Sequence, residues 1–292
     1  MHVKVAPVDD PERYWEIMDV MVDAWGMPDY TEAVPAHFMK AISENGGLVL
    51  AAYDRGKIVG FVLGILAMDE EGRIYHYSHM LAVLRKYRGT GVSLALKRAQ
   101  RRELLKRGIN LVMWTYDPQQ GLNARFNFVK LGVICRKFYT NYYGTMRDEI
   151  NRGLVSDRFK VEWWLDSARV EGRLSGRLPP PSLEEATETC YRVVETEEVA
   201  PGVRKIVSVK LSDESDAVLI EVPGDVDLLK KHSLELANDW RFKLRPVFKY
   251  YFSKGYVATE FITTREKGYR RNFYVFWRAP LDRILAGESP WS

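Results

Sequence analysis

Two glycines one residue apart, in the run Leu81-Ala82-Val83-Leu84-Arg85-Lys86-Tyr87-Arg88-Gly89-Thr90-Gly91-Val92, constrain this chain more than any other feature. They separate a strand-forming stretch, Tyr75 to Val83, from a helical one, Val92 to Arg107. In the helix Val92, Ala95, Leu96 and Ala99 fall on one stripe, while Lys97, Arg98, Arg101 and Arg102 fall mostly elsewhere. Gly108 stops it. Backbone amides converge where a strand turns sharply into a helix, and glycine removes the side chains that would block a ligand. Free N–H groups and the helix dipole then favour a phosphate or pyrophosphate. No Gly-Lys-Ser/Thr follows and no third glycine completes Gly-x-Gly-x-x-Gly, so neither nucleotide-binding signature is present. Read without its surroundings, the run is equally a tight turn.

The surroundings alternate element types. Pro11 to Trp25 predicts a helix, with Tyr14, Ile17, Met18, Met21 and Trp25 at helical spacing and Asp10 as its cap before Pro11. Pro35 to Ser43 predicts a second, ended by Asn45-Gly46-Gly47. Gly47 to Tyr53 and Lys57 to Met68 read as strands of a hairpin turning at Asp54-Arg55-Gly56. Beyond the glycine turn, Ile109 to Tyr116 is β-rich, a helix spans about Leu122 to Leu131, Gly132 closes it, and a strand runs from Val133 to about Tyr139. This order predicts a mixed α/β domain.

With 292 residues and 46% hydrophobic content the chain can bury one large or two modest cores, which excludes a disordered or collagen-like protein. Gly176-Arg177-Leu178-Pro179-Pro180-Pro181 is stiff and unsuited to a sheet centre, so a boundary is expected there, with domains at 1–175 and 182–292. In the second, Tyr191 to Glu195, Lys205 to Val209 and Ala217 to Val222 read as strands, Asp225 to Phe252 as a helix broken or kinked near Pro246, and Tyr256 to Thr263 and Asn272 to Arg278 as closing strands. This part is a smaller α+β domain.

A net charge of +4, from 43 Lys+Arg against 39 Asp+Glu, is too mild for a nucleic-acid binder but permits a local anion site around Arg85 to Arg107. The two cysteines, Cys135 and Cys190, offer neither a disulfide framework nor metal-ligand spacing, so no metal is expected and a cytoplasmic home is the default. The apolar stretch Ile58 to Met68 is too short to cross a bilayer and the start lacks a signal-peptide core, so no membrane partner is expected either.

The run Leu-Ala-Val-x-x-x-Tyr-Arg-Gly-x-Gly, followed by a helix, a strand and a helix ending Lys130-Leu131-Gly132, resembles the GNAT superfamily of N-acetyltransferases over roughly the first half of the chain. The resemblance implies a central mixed sheet flanked by helices and an acetyl-CoA or other acyl-CoA co-substrate. In that family the turn holds the coenzyme pyrophosphate; here the backbone of Lys86, Tyr87, Arg88, Gly89, Thr90, Gly91 and Val92 would do so. Leu81 and Val83 would pair their backbone with the pantetheine and aim an amide at the thioester carbonyl. Where relatives carry Gln or Arg three residues before the first glycine, this chain has Lys86. His79-Met80-Leu81, Trp114-Thr115-Tyr116-Asp117-Pro118, Asn123-Ala124-Arg125-Phe126-Asn127-Phe128, Val161-Glu162-Trp163-Trp164-Leu165-Asp166 and Trp240-Arg241 are similar to a branch of predicted acetyltransferases with an extra C-terminal domain. That branch has been associated with acylation of amino acids, including by succinyl-CoA. By the same resemblance Asn123 joins the coenzyme-binding residues, and Arg125 could meet the coenzyme phosphates or an acidic acyl group, with a surface ion pair as the plain alternative.

Direct transfer needs a neutral amine, donors for an oxyanion and an outlet for protons. His79, two residues before Leu81 and on its face if the strand keeps period two, is the candidate base; His76 falls on the opposite face, and a structural histidine is the plain alternative. Relatives place a tyrosine acid two residues before the Lys of Lys-x-Gly, where this chain has Phe128, so Tyr116, Tyr139 or water must serve. An ordinary thiol with a pKa of about 8.5 leaves with little help. Glu162 and Asp166 would meet in a strand or in a helix, as amine ligands or solvated carboxylates, and Arg241 could cap a substrate pocket. An α-amine, with a pKa of about 7.7–8.0 against about 10.4 for lysine, suits a histidine base, so a small amine such as an amino acid is the expected acceptor. The rival expectation is a non-catalytic CoA-binding regulatory or interaction module. Oligomeric state is open, a homodimer included.

Overall fold

The computed structural model describes residues 3–291, which divide into two compact units. One runs up to Trp114 and includes Met146–Arg152; the other comprises Thr115–Thr145 and the chain from Gly153 onward. The chain therefore passes between units inside a strand, at Trp114, rather than in the proline-rich segment.

The first unit opens with β1 (Lys4–Pro7), a strand the pattern did not predict. A 3-10 turn, Pro11–Arg13, follows, capped by Asp10, whose carboxylate accepts from the Glu12 amide. It leads into α1 (Tyr14–Trp25), which Gly26 ends in a left-handed conformation, and then α2 (Ala36–Glu44). The hairpin forms as expected: β2 (Leu48–Asp54) and β3 (Lys57–Met68) turn through Arg55 and Gly56, both at positive φ. β4 (Ile74–Val83), α3 (Val92–Lys106) and β5 (Leu111–Tyr116) complete the set. Strands β1 to β4 pair antiparallel in chain order, and β5 lies parallel to β4.

β3 explains its own apolar run. Phe61 and Leu63 point into the core made by α1 and α2, with Tyr14, Ile17, Met21 and Met39. The alternate residue Gly60 faces α3, where an added Cβ would stand 3.3 Å from Leu96. Helices thus cover both faces, and a strand buried on both sides reads as continuous hydrophobics rather than as alternation.

The second unit begins in the last residues of β5. Its helix α4 (Gly121–Arg125) continues as a π-helical stretch, Phe126–Leu131, closed by Gly132 at φ 75°. Next come β6 (Ile134–Tyr139), β7 (Arg158–Trp164), α5 (Ala168–Ser175) and α6 (Leu183–Thr189), the last three unpredicted. The proline-rich link 176–181 simply joins α5 to α6 inside this unit. β8 (Tyr191–Arg192), β9 (Val194–Ala200), β10 (Val203–Val209) and β11 (Ala217–Val222) precede α7 (Val226–His232) and α8 (Leu234–Ser253). β12 (Val257–Glu266), β13 (Tyr269–Trp277) and α9 (Leu281–Ala286) close the chain. The strands order as β7-β6-β12-β13-β11-β8, with β9 and β10 forming a separate ribbon.

β13 repeats the logic of β3. Phe273, Val275 and Trp277 join Ile134, Leu219, Ala186 and Ile284 in one core. Tyr274 and Phe276 face the other way, into rings from Phe159 and from Phe248 of α8. One expectation is corrected here. The helix does not break at Pro246 but at Ser233, whose extended backbone ends α7 and whose hydroxyl caps α8 by accepting from the Leu236 amide. Pro246 sits on the exposed face, where the carbonyl it leaves without an N–H partner can be solvated.

Candidate active site

The site grows from one irregularity in β4. Its ladder with β5 covers only His76↔Val112 and Tyr77↔Met113, although β4 continues to Val83. On the other side the ladder with β3 continues, and the Leu84 amide donates to the Val59 carbonyl at 2.9 Å. By period two, the backbone groups of Leu81 and Val83 then point away from β3, along an edge that β5 does not pair. An extended ligand can be read by that edge as an added strand would be.

Past Val83 a 3-10 turn, Arg85–Tyr87, leads to the two glycines. Gly89 and Gly91 have φ of 76° and 91°, a region that costs other residues strain, and a Cβ at either would meet nothing within 4 Å. The glycines answer a backbone need and leave open space before α3. Gly91 caps α3 without a side-chain acceptor, so the amides of the first turn remain available to an anion.

The basic residues of the turn divide. The Arg88 guanidinium donates to the Ala24 carbonyl at 2.6 Å, and Arg85 donates to the Asp23 carbonyl at 2.7 Å and pairs with Glu149 at 2.6 Å, so both brace the turn against the end of α1. The Tyr87 hydroxyl donates to Asp54 and the Thr90 hydroxyl to the Tyr87 carbonyl. Lys86 is exposed, with its amine 5.4 Å from the Tyr87 ring, and Val92 is buried beneath the turn.

His79 is exposed, but the protein around it desolvates the ring and pulls its pKa below the ordinary histidine value. It is therefore neutral at pH 7 and can accept a proton. Its expected direction needs correcting: the β3/β4 register slips between Leu63↔Met80 and Ile65↔Tyr77, so β4 carries one extra residue and period two does not run from Leu81 through His79. The ring stands 6.2 Å from Tyr77. His76 is fully buried, with neither ring nitrogen hydrogen-bonded, and burial drops its pKa to about 3, helped by Lys97 and Arg107.

Lys97, expected off the apolar stripe, is buried between β4 and α3. Its amine donates to Gln100 at 2.8 Å and to the Ser78 hydroxyl at 3.3 Å, and lies 3.8 Å from the Trp114 ring centre. Desolvation pulls its pKa well down. The signal was present: Lys97, Gln100 and Leu104 follow helical spacing and widen the stripe of Leu96.

The remaining candidates belong to the second unit. The Tyr116 hydroxyl pairs with that of Tyr274 at 2.7 Å, which donates onward to the Pro118 carbonyl. Burial pushes the Tyr116 pKa well above its usual value. A general acid needs a hydroxyl that can reach its leaving group, and this one is a core hydrogen bond, which argues against the role expected for it. Phe128 is buried with its ring 5.6 Å from Tyr274. Asn123 and Arg125 are exposed on α4. The Tyr139 ring lies 5.1 Å from that of Tyr142, tilted by 51°. Glu162 and Asp166 are not a pair: Glu162 is buried on β7 and clamped by Arg136 at 2.8 and 2.9 Å, while Asp166 lies exposed beyond the strand. Arg241 is buried in a two-pronged pair with Asp117, and the Trp240 indole donates to the Arg204 carbonyl at 2.7 Å. Cys135 and Cys190 are free and buried. Among the described residues there is no cluster of His, Cys, Asp and Glu suited to a metal, and no helix long and apolar enough to cross a membrane.

Against known families, residues 9–132 match the acetyltransferase (GNAT) family. Those residues are a GNAT acetyltransferase domain. The domain takes in β4, the glycine turn and α3, and ends at Gly132. No protein of curated function matches the sequence. Among solved structures, the NatC complex bound to Gag peptide and CoA is 20% identical, with a TM-score of 0.45 over 56% of this chain and 98% of that one. A ribosomal-protein alanine N-acetyltransferase from Escherichia coli is 16% identical, with a TM-score of 0.43 over 55% and 92%. An aminoglycoside acetyltransferase from an uncultured soil metagenomic sample is 22% identical, with a TM-score of 0.35 over 40% and 82%. The GNAT domain rests on the family match, and the likenesses in fold accompany it.

Proposed function

We propose that the chain is an acyl-CoA-dependent N-acyltransferase that moves an acetyl or succinyl group to the amine of a small molecule such as an amino acid. One observation carries the reading: the unpaired backbone edge of Leu81 and Val83 runs directly into the open glycine turn at the start of α3. A molecule with an extended amide-bearing arm and an anionic pyrophosphate has the two features this edge and turn can bind. The residues fit it: the Gly89 and Gly91 positions leave room for phosphate oxygens, unpaired amides face them, and exposed Lys86 adds charge. The coenzyme supplies the thioester.

His79, held neutral at pH 7, takes the proton of the attacking ammonium, and an amide on the β4 edge donates to the oxygen as it gains charge. The departing thiolate needs no acid of its own near neutral pH, in keeping with Phe128 and with the engaged hydroxyl of Tyr116. Those same two residues favour the second reading, a CoA-binding module without turnover.

An acyl-CoA panel with free amino acids and amines, followed as thiol release, separates the two. The first reading expects turnover that falls about 10²-fold or more in His79→Ala, since general-base catalysis contributes at that scale. Acid-limb titration should have its midpoint below 6.5, because the His79 pKa is lowered. CoA binding with no turnover of any donor supports the module, and acylation of protein lysines alone would overturn the small-amine acceptor.

A further inference from the structure

Three features coincide at Ser78 and His79. The β4/β5 ladder ends one residue earlier, at Tyr77↔Met113. The β3/β4 register slips there, because Leu63 to Ile65 spans two steps while Met80 to Tyr77 spans three. The Ser78 side chain is buried against α3, where its hydroxyl accepts from Lys97 at 3.3 Å and from Gln100 at 3.1 Å. Opposite the slip lies Gly64, where a Cβ would fall 2.4 Å from the Tyr77 carbonyl and 2.3 Å from the His76 ring. The bulge is therefore built into two strands and a helix.

A bulge bends its strand and leaves a residue outside the ladder, so its torsions need another restraint. The hydrogen bonds to Ser78 are such a restraint. Lys97 sits five residues into α3, about 7.5 Å along the helix from Val92 at 1.5 Å per residue. One rigid element thus begins at the glycine turn and grips the bulge.

We propose that Lys97 and Gln100 are positioning residues that act through Ser78 to fix the β4 bulge, and with it the direction in which His79 and the amides of residues 79–81 meet the reacting thioester. The inference rests on the acyltransferase reading for its consequence, while the restraint on the bulge stands on the hydrogen bonds alone. Neither Lys97 nor Gln100 touches the substrate; both work from behind the strand.

The test compares Lys97→Met, Ser78→Ala and Ser78→Thr in the full-length protein. Amide hydrogen exchange, which needs no turnover, should be about tenfold faster across residues 78–81 in Lys97→Met and Ser78→Ala and near wild type in Ser78→Thr, which keeps the hydroxyl, because a lost local restraint opens only its own segment. Affinity for CoA, titrated directly, should stay unchanged. In turnover, kcat should fall about tenfold with KM for acyl-CoA held, since misorientation costs the reaction rather than binding. The double variant Lys97→Met/Ser78→Ala should be no worse than Ser78→Ala. Unchanged exchange at 78–81, a uniform loss of protection over the whole chain, or additive effects would each overturn the proposal. Absence of turnover with every donor would instead remove the acyltransferase reading, and the exchange result would still decide whether Lys97 fixes the bulge.

Discussion

Two buried polar clusters, one in each unit, are held by opposite means. In the second unit Glu260 lies between Arg169 at 2.8 Å and Arg173 at 2.5 Å, all three buried, and Asp117 answers Arg241 in the same manner. In the first, Lys97 is buried among neutral groups: Ser78, Gln100, the Trp114 ring and a neutral His76. Charges that neutralise one another lock a fold and become a liability if one is removed. A buried amine held by hydrogen bonds to neutral groups carries a desolvation cost that those bonds only partly offset.

The largest effect should break the first cluster. Glu260→Leu strands two guanidinium groups and should cost about 3–5 kcal/mol in denaturant unfolding, with Glu260→Gln milder because it keeps hydrogen-bond acceptance. A loss under about 1 kcal/mol would mean that water reaches the arginines and that the contrast between clusters is smaller than drawn.

The next effect belongs to His76. Its folded pKa of about 3 lies below the ordinary 6.5, so the unfolded chain takes up a proton that the folded chain refuses. The stability contribution is fully present above pH 6.5 and is lost as pH falls toward 3, about 3 kcal/mol by about pH 4. His76→Phe should flatten that part of the stability profile. An unchanged slope would show that the buried ring is protonated after all.

The smallest effect sharpens the comparison most. Lys97→Met should leave global stability unchanged, or raise it by about 1 kcal/mol, since it removes a desolvated amine whose bond restrains only the segment around Ser78. A loss as large as that of Glu260→Leu would make the two clusters alike.

What the sequence disclosed follows what is local. The Asp10 cap, the Arg55-Gly56 turn and the glycine pair are each set by torsions within a few residues, and all three are in place. The burial of Lys97 was legible in the helical spacing it shares with Gln100 and Leu104, but its partner Ser78 of β4 was not, and nothing near Tyr116 in sequence announces Tyr274 of β13. Pro246 misled for a related reason: proline disrupts an isolated helix, but α8 is held by Trp240, Leu244, Val247 and Phe248 on its buried face and continues through it. The bulge in β4 was hidden because a single extra residue leaves the composition of a strand unchanged while inverting its facing.

The path of the chain also bears on its synthesis. It leaves the first unit after Trp114, returns for Met146–Arg152 and leaves again. On the ribosome the first unit must wait for those returning residues, whose Glu149 amide donates to the Trp25 carbonyl and whose carboxylate pairs with Arg85. Residues 115–145 and β7 meanwhile emerge long before β12 and β13, so the apolar faces of Phe128 and Phe159 await partners translated more than a hundred residues later. At about 5–20 residues per second that interval lasts several seconds or more, a window in which a chaperone has surface to hold.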